Sequence, residues 1–269
     1  MSSATASEGH QKYETQKQVE EYLSLHFGSA DVQLPALVRH SPLAHSLAHF
    51  PQRCATVVAQ HAVQHNSGLL RALDVGCAVG GSTFELARSF ETVVGIDFSA
   101  AFIAAANHLR TNGELSYSVR TEGEQYTTTP LLARAPADVD GSRLTFEVGD
   151  ACNLDLARLG RFNGVLAGNL LCRLPDPRKF LADLSHLVAP GGVVVFTSPF
   201  SWFEEYTPRD RWLGGRAGEP DGSSIAGLVA ALAADFELVH EDSIALMIRE
   251  HSRKFQFITP HLSVFRRKV

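Results

Sequence analysis

Leu73-Asp74-Val75-Gly76-Cys77-Ala78-Val79-Gly80-Gly81 decides the architecture of this chain. A short apolar run carries one carboxylate, enters a glycine-rich turn and opens a helical stretch containing Phe84, Leu86 and Ala87. Glycines at such a junction let backbone N–H groups approach a nucleotide-like ligand closely. Short β-rich runs recur at residues 72–75, 93–97, 144–148, 164–167 and 193–197. None alternates apolar with polar residues, as expected of strands covered on both faces. Helical stretches lie between them. Ser99 caps one that carries Phe102, Ile103, Ala106 and Leu109 inward and stops at Asn112-Gly113. Asp176-Pro177 opens another, with Phe180, Leu181, Leu184, Leu187 and Val188 inward. The alternation predicts an α/β fold with a doubly wound, mostly parallel sheet.

The flanks are assigned less regular roles. Residues 1–12 are small and polar and read as a disordered tail. Residues 13–68 read as an N-terminal helical cap, with helices expected at 17–27, 34–49 and 52–65. In the first, Val19, Tyr22, Leu23, His26 and Phe27 share one face. Residues 69–269 form the main domain, with a Thr-, Gly- and Pro-rich insertion at 114–142. Runs at 243–249 and 255–266 have no helix between them and are expected to pair as an antiparallel C-terminal hairpin at the sheet edge.

Composition narrows the function. With 269 residues and a net charge of −5, the chain has the size of one α/β domain with an appendage and lacks the basic balance of a nucleic-acid binder. Its apolar runs are too short to cross a bilayer, so no membrane partner is expected. Cys54, Cys77, Cys152 and Cys172 are scattered, which gives a reduced, cytoplasmic setting as the expectation. His45/His49 and His61/His65 stand one helical turn apart, but neither pair has a nearby carboxylate, and no metal is expected.

Two further acidic residues stand in register with Asp74. Asp97 ends the second run in Gly95-Ile96-Asp97-Phe98-Ser99, and Gly149-Asp150-Ala151 follows the third. Three such marks on three successive strands resemble the class I S-adenosylmethionine-dependent methyltransferases. A dinucleotide-binding oxidoreductase shares the Gly76-to-Asp97 spacing. Against it, the loop reads Gly-x-x-x-Gly, and Asp74 sits where a dehydrogenase accommodates a diphosphate. The resemblance implies a Rossmann-like, seven-stranded, mostly parallel sheet and S-adenosylmethionine as cofactor. It places Asp74, Gly76, Cys77 and Gly80 at the cofactor loop and Asp97 on the ribose hydroxyls. Phe98 would lie against the adenine and Asp150 accept its amino group, with Ser99, Ala151 and, after the fourth strand, Asn169 also expected at the cofactor. That fourth strand runs into Gly168-Asn169-Leu170-Leu171-Cys172-Arg173 and lacks the Asn/Asp-Pro-Pro-aromatic signature of enzymes that methylate nucleobase amines.

A narrower likeness rests on Tyr13-Glu14-Thr15, His26-Phe27-Gly28, Phe50-Pro51-Gln52-Arg53-Cys54 and Asn169-Leu170-Leu171-Cys172-Arg173-Leu174. It rests most on Ser201-Trp202-Phe203-Glu204-Glu205-Tyr206-Thr207-Pro208, followed by Ile248-Arg249-Glu250-His251. Together these resemble the 5-thiohistidine (4-mercaptohistidine) N-methyltransferases of ovothiol biosynthesis, over residues 13–268 and in stand-alone form. One departure is Gly81, where a larger, often basic residue is expected. The resemblance implies transfer of a methyl group to the imidazole nitrogen nearest the side chain, giving ovothiol A. Its small-molecule substrate, 5-thiohistidine, would come from a sulfoxide synthase partner. A zwitterionic acceptor needs a cation and an anion, for which Arg249 and Glu205 are the first candidates, with Arg173 and Glu204 as substitutes and Asn169 nearby. Trp202 or Tyr206 would stack on the imidazole, and His251, Glu205 or Tyr206 would hold a ring proton. Tyr13 and Arg53 are expected to reach the cofactor's carboxylate. A methyltransferase of another small amine, imidazole or thiol, and a non-catalytic cofactor-binding domain, are the competing readings.

Overall fold

The computed structural model describes residues 11–65, 67–218 and 222–269. The tail expected at residues 1–12 lies outside the described residues as far as residue 10. From there, Lys12–Glu14 form one 3-10 turn.

Seven strands build the main sheet: β1 (Arg71–Val75), β2 (Thr92–Asp97), β7 (Leu144–Val148), β8 (Phe162–Gly168), β9 (Val188–Ser198), β10 (Phe236–Ser243) and β13 (His261–Arg267). Between β2 and β7 the chain forms two small antiparallel pairs. β3 (Glu114–Tyr117) pairs with β6 (Leu131–Arg134), and β4 (Arg120–Glu122) with β5 (Gln125–Tyr126). A separate hairpin, β11 (Leu246–His251) with β12 (Lys254–Ile258), stands between β10 and β13. The main sheet runs in the order β10-β13-β9-β8-β1-β2-β7. The five strands from β9 to β7 are parallel, and β13 and β10 are antiparallel. The chain reverses direction in space between β1–β2 and β8–β9, which opens a crevice at the carboxyl ends of β1 and β8.

Among the described residues, six helices of more than one turn accompany the sheet: α1 (Gln16–Phe27), α2 (Phe50–Gln64), α3 (Gly81–Leu86), α4 (Ala100–Asn112), α5 (Pro177–Leu187) and α6 (Ser224–Leu232). Local chemistry explains their starts. Thr15, Ser99, Asp176 and Ser223 each accept a backbone N–H of the first turn. α1, α2, α3 and α4 bury Val19, Leu23, Val58, Phe84 and Ala106 in one cluster against one sheet face, and α5 and α6 bury Phe180, Leu184 and Leu228 against the other.

Two expectations are corrected. Residues 34–49 are not one helix but short turns at Ala36–Arg39 and Ala44–Leu47. Pro42 interrupts them, because it has no N–H and disfavours helical backbone in the residue before it. The C-terminal antiparallel pair within the sheet is β10 with β13, and β13 lies inside the sheet between β9 and β10. The expected antiparallel hairpin does form, over residues 246–258, but apart from the main sheet, and its buried Leu246 and Met247 pack against the N-terminal segment and core. Burying those apolar side chains favours the separate hairpin.

Candidate functional site

β1 delivers Asp74 beneath the glycine loop, where it is 2% exposed. Thr83 Oγ1 on α3 donates to its Oδ2 at 2.8 Å. Burial pushes the Asp74 carboxyl up to about 7, against the Thr83 hydrogen bond, which lowers it. Gly76 (φ +77°) and Gly80 (φ +89°) make the turn with left-handed backbone, and a Cβ on Gly80 would lie 2.7–2.8 Å from the Phe146 ring. Ala78 also adopts positive φ (48°), as does Asn169 (53°) at the end of β8. Non-glycine residues held in that region mark places where the surroundings over-determine the backbone, commonly ligand sites.

Asp97 ends β2 alongside. Its Oδ2 accepts the Ala78 N–H at 2.8 Å and its Oδ1 the Ser99 N–H at 2.9 Å. One carboxylate therefore ties the glycine loop to the start of α4 and still has lone pairs for two hydroxyls. Burial raises its carboxyl to about 6. Asp150 Oδ1 accepts the Cys152 N–H at 2.8 Å. Phe98 is 42% exposed, a large apolar ring placed at the mouth of the crevice.

These groups surround a cavity of about 400 Å³, of the size that takes small ligands. Its floor and one wall are Asp74, Gly76, Cys77, Ala78, Asp97, Phe98, Ser99, Asp150, Ala151 and Asn169. Asn169 is set by Thr197, whose hydroxyl donates to the Asn169 Oδ1 at 3.1 Å. The donor set fits S-adenosylmethionine: a carboxylate under the glycine loop for an ammonium, a second for ribose hydroxyls, a third for an adenine amine, and a ring for the adenine face.

The opposite wall comes from the N-terminal helices and the separate hairpin. Tyr13, Tyr22, Leu25, His26, Phe50, Pro51 and Cys54 line it together with Leu246, Ile248 and Ile258. The N-terminal segment is pinned there: Glu14 accepts the Ala100 and Ala101 N–H groups at 3.0 and 3.1 Å, and Ser99 Oγ donates to the Tyr13 carbonyl at 3.0 Å. Tyr22 and His26 were legible as inner-face residues of α1, but nothing local marked them as cavity residues. Among the described residues, Arg173 is the cationic side chain that lines the cavity. Its Nη1 donates to the carbonyls of Cys172 and Ser201 at 3.0 and 2.9 Å, and its guanidinium lies 4.7 Å from the Tyr206 ring centroid.

Several candidates lie elsewhere. Arg53 projects from α2 away from the cavity and donates to the carbonyls of Ala48 (3.1 Å) and Ala245. Arg249 donates to the Val32 carbonyl at 2.9 Å, because strand alternation gives the cavity side to Ile248. His251 lies at the turn of the β11–β12 hairpin, its Nδ1 accepting the Arg253 N–H at 3.2 Å. Glu204 and Glu205 are exposed in a loop outside the lining. Trp202 is buried and structural: Nε1 donates to Ser224 Oγ at 2.8 Å and its ring stacks on Trp212 at 6.3 Å. Tyr206 is 3% exposed and backs Arg173 and Tyr13 instead of lining the cavity. Burial raises its hydroxyl above the usual phenol range, so at neutral pH it is a proton donor and not a base.

Among the described residues no helix is long and apolar enough to cross a membrane. Residues 73–196 match the family described as a methyltransferase domain. No curated protein matches the chain. Among solved structures, the cyclase SpnF is 17% identical with a TM-score of 0.59, covering 98% of this chain and 97% of that one. Magnesium protoporphyrin IX methyltransferase (ChlM) from Synechocystis PCC 6803, with bound SAH, is 15% identical with a TM-score of 0.57, covering 96% and 98%. The N-terminal domain of EvdMO1 with SAH bound is 18% identical with a TM-score of 0.50, covering 85% of each. These likenesses show the fold, and a cyclase among them shows that the fold by itself does not fix the reaction.

Proposed function

We propose that this class I S-adenosylmethionine-dependent methyltransferase methylates the imidazole nitrogen nearest the side chain of 5-thiohistidine, giving ovothiol A. The observation that carries the reading is Arg173, a guanidinium bordering a cavity whose acceptor wall is otherwise largely apolar and aromatic. A small amino acid with an aromatic ring matches that combination: its carboxylate to Arg173, its ring between Tyr13, Tyr22 and Phe50. The sequence resemblance over residues 13–268 supports the same acceptor.

The cofactor, when bound, supplies an electrophilic methyl group on a sulfonium. Asp74, Asp97, Asp150, Phe98 and the loop from Gly76 to Gly80 would hold it. The remaining work falls to position and exclusion of water. The N-terminal segment, clamped by Glu14 and Ser99, closes the cavity over the cofactor side. His26 lines the cavity, but burial lowers its imidazole to about 3, so it stays neutral and is no base near pH 7. His251 and Glu205 stand outside the lining. Orientation therefore carries the rate, an effect worth up to several kcal/mol, on the order of 7–11 for ideal alignment. It also carries the regiochemistry, because the acceptor's sulfur is the softer nucleophile and must be turned from the methyl group. We assign the supply of 5-thiohistidine to a sulfoxide synthase and the setting to the cytoplasm.

The apolar residues Leu25, Leu246, Ile248 and Ile258 favour a second reading, a small amine, imidazole or thiol with an apolar body. Mass spectrometry of reactions with 5-thio-L-histidine, histidine, ergothioneine and an apolar amine panel separates the two. A singly methylated 5-thiohistidine whose fragments place the methyl on the ring nitrogen is expected. Turnover of an apolar amine with none of 5-thiohistidine overturns the first reading.

A further inference from the structure

We propose that His26 donates the Nε2–H of one fixed tautomer to the carboxylate of the cofactor's amino-acid end, beside the Asp74 carboxylate that takes its ammonium. His26 lies near the end of α1, its ring against Tyr22 and Phe27 at 5.8 and 6.3 Å between centroids. Its Nδ1 accepts the Gly81 N–H at 3.0 Å. A neutral imidazole carries one ring proton, and a nitrogen that accepts cannot hold it, so the proton resides on Nε2. Burial keeps the ring neutral, with its pKa lowered to about 3, which preserves that tautomer across the working pH range.

Among the described residues no protein group takes the Nε2 proton, while the ring borders the cavity together with Cys77, Ala78 and Ser82. The Nε2–H is therefore available to a ligand acceptor in the cavity. The arrangement has two matched halves on α3. His26 is anchored to Gly81 and Asp74 to Thr83, two residues further on. An α-amino acid carries its ammonium and carboxylate on one carbon, and His26 and Asp74 line the same cavity beside the glycine loop. The Arg173 guanidinium, on the segment after β8, is the group assigned to the acceptor's carboxylate. Gly81 follows from the same contact, since a Cβ there would lie 2.7–2.9 Å from His26 atoms. The larger residue expected at this position is excluded by the imidazole that occupies its space.

This inference rests on the cofactor and not on the identity of the acceptor, so the two fail separately. The test is calorimetric binding of S-adenosylhomocysteine and of 5′-methylthioadenosine, which lacks the amino-acid end, to the wild type, His26→Phe and His26→Gln. His26→Phe is expected to weaken S-adenosylhomocysteine by about ten- to hundredfold and 5′-methylthioadenosine by less than about twofold. His26→Gln, which keeps an acceptor and a donor, is expected to recover part of the loss. Comparing two ligands within one variant separates a lost hydrogen bond from a damaged fold. Unchanged affinity for S-adenosylhomocysteine overturns the proposal, as does an equal loss for both ligands. A raised acceptor KM with S-adenosylhomocysteine binding intact also overturns it, by assigning the carboxylate to the acceptor.

Discussion

Thr83 Oγ1 donates to Asp74 Oδ2 at 2.8 Å in a site where both side chains are buried. The carboxylate thus sits in the low-dielectric floor of the cavity with one neutral donor, and its carboxyl is raised to about 7. A ligand ammonium restores the missing charge partner. The cofactor site is a place where apoprotein stability is exchanged for affinity.

That exchange has a sign. Asp74 keeps its proton in the folded protein up to about pH 7 but loses it near the ordinary carboxylate value when unfolded. Between those values the folded state binds more protons, so apoprotein stability falls as pH rises through this window. Asp97, raised to about 6, adds to the same slope. Asp74→Asn is expected to flatten the slope and stabilise the apoprotein at pH 8 by on the order of 1–3 kcal/mol, while weakening S-adenosylhomocysteine by at least about tenfold. Denaturant titrations at pH 5 and pH 8 check the first part and calorimetry the second. An apoprotein no more stable than wild type at pH 8 contradicts the assignment.

Asp97 serves the loop and the ligand together, through its bonds to Ala78 and Ser99. Asp97→Ala is expected to weaken adenosine, 5′-methylthioadenosine and S-adenosylhomocysteine alike, by about 2 kcal/mol or more. Asp74→Asn is expected to spare adenosine. A ligand series on both variants reads the difference.

Gly81 and His26 occupy each other's space. Gly81→Ala is expected to cost about 1–3 kcal/mol of stability. The double variant Gly81→Ala with His26→Ala is expected to cost less than the sum of the single changes. Additive losses in a thermal unfolding cycle would show that the two residues do not interact.

Arg173 and Arg249 should separate cleanly. Arg173→Met is expected to raise the acceptor KM by about tenfold or more, while Arg249→Met, outside the cavity lining, changes it by less than about twofold. Steady-state kinetics on the two variants decide which guanidinium meets the acceptor.

Tyr206 backs Arg173 and stands in the electrostatic reach of Tyr13. Tyr206→Ala loosens that wall and is expected to release some S-methylated product beside the N-methylated one. Slower but purely N-directed methylation, read by mass spectrometry, would count against control of orientation by this wall.

The parallel core and the glycine-loop wall of the cavity are legible in the sequence alone. The glycines at 76 and 80, the run-ending Asp97 and the buried strands around them are local signals, because a strand, a turn and a helix start each need particular residues in consecutive positions. The rest of the cavity wall depends on tertiary packing. Arg53, Arg249, His251, Glu204 and Glu205 are charged residues in distinctive motifs, yet the packing of α2, the alternation of β11 and an exposed loop carry them away from the cavity. His26, Phe50, Leu246, Ile248 and Ile258 arrive there instead from segments up to more than 200 residues apart. No local pattern encodes that meeting, because it follows from which apolar faces bury one another once the N-terminal helices and the β11–β12 hairpin close over the sheet.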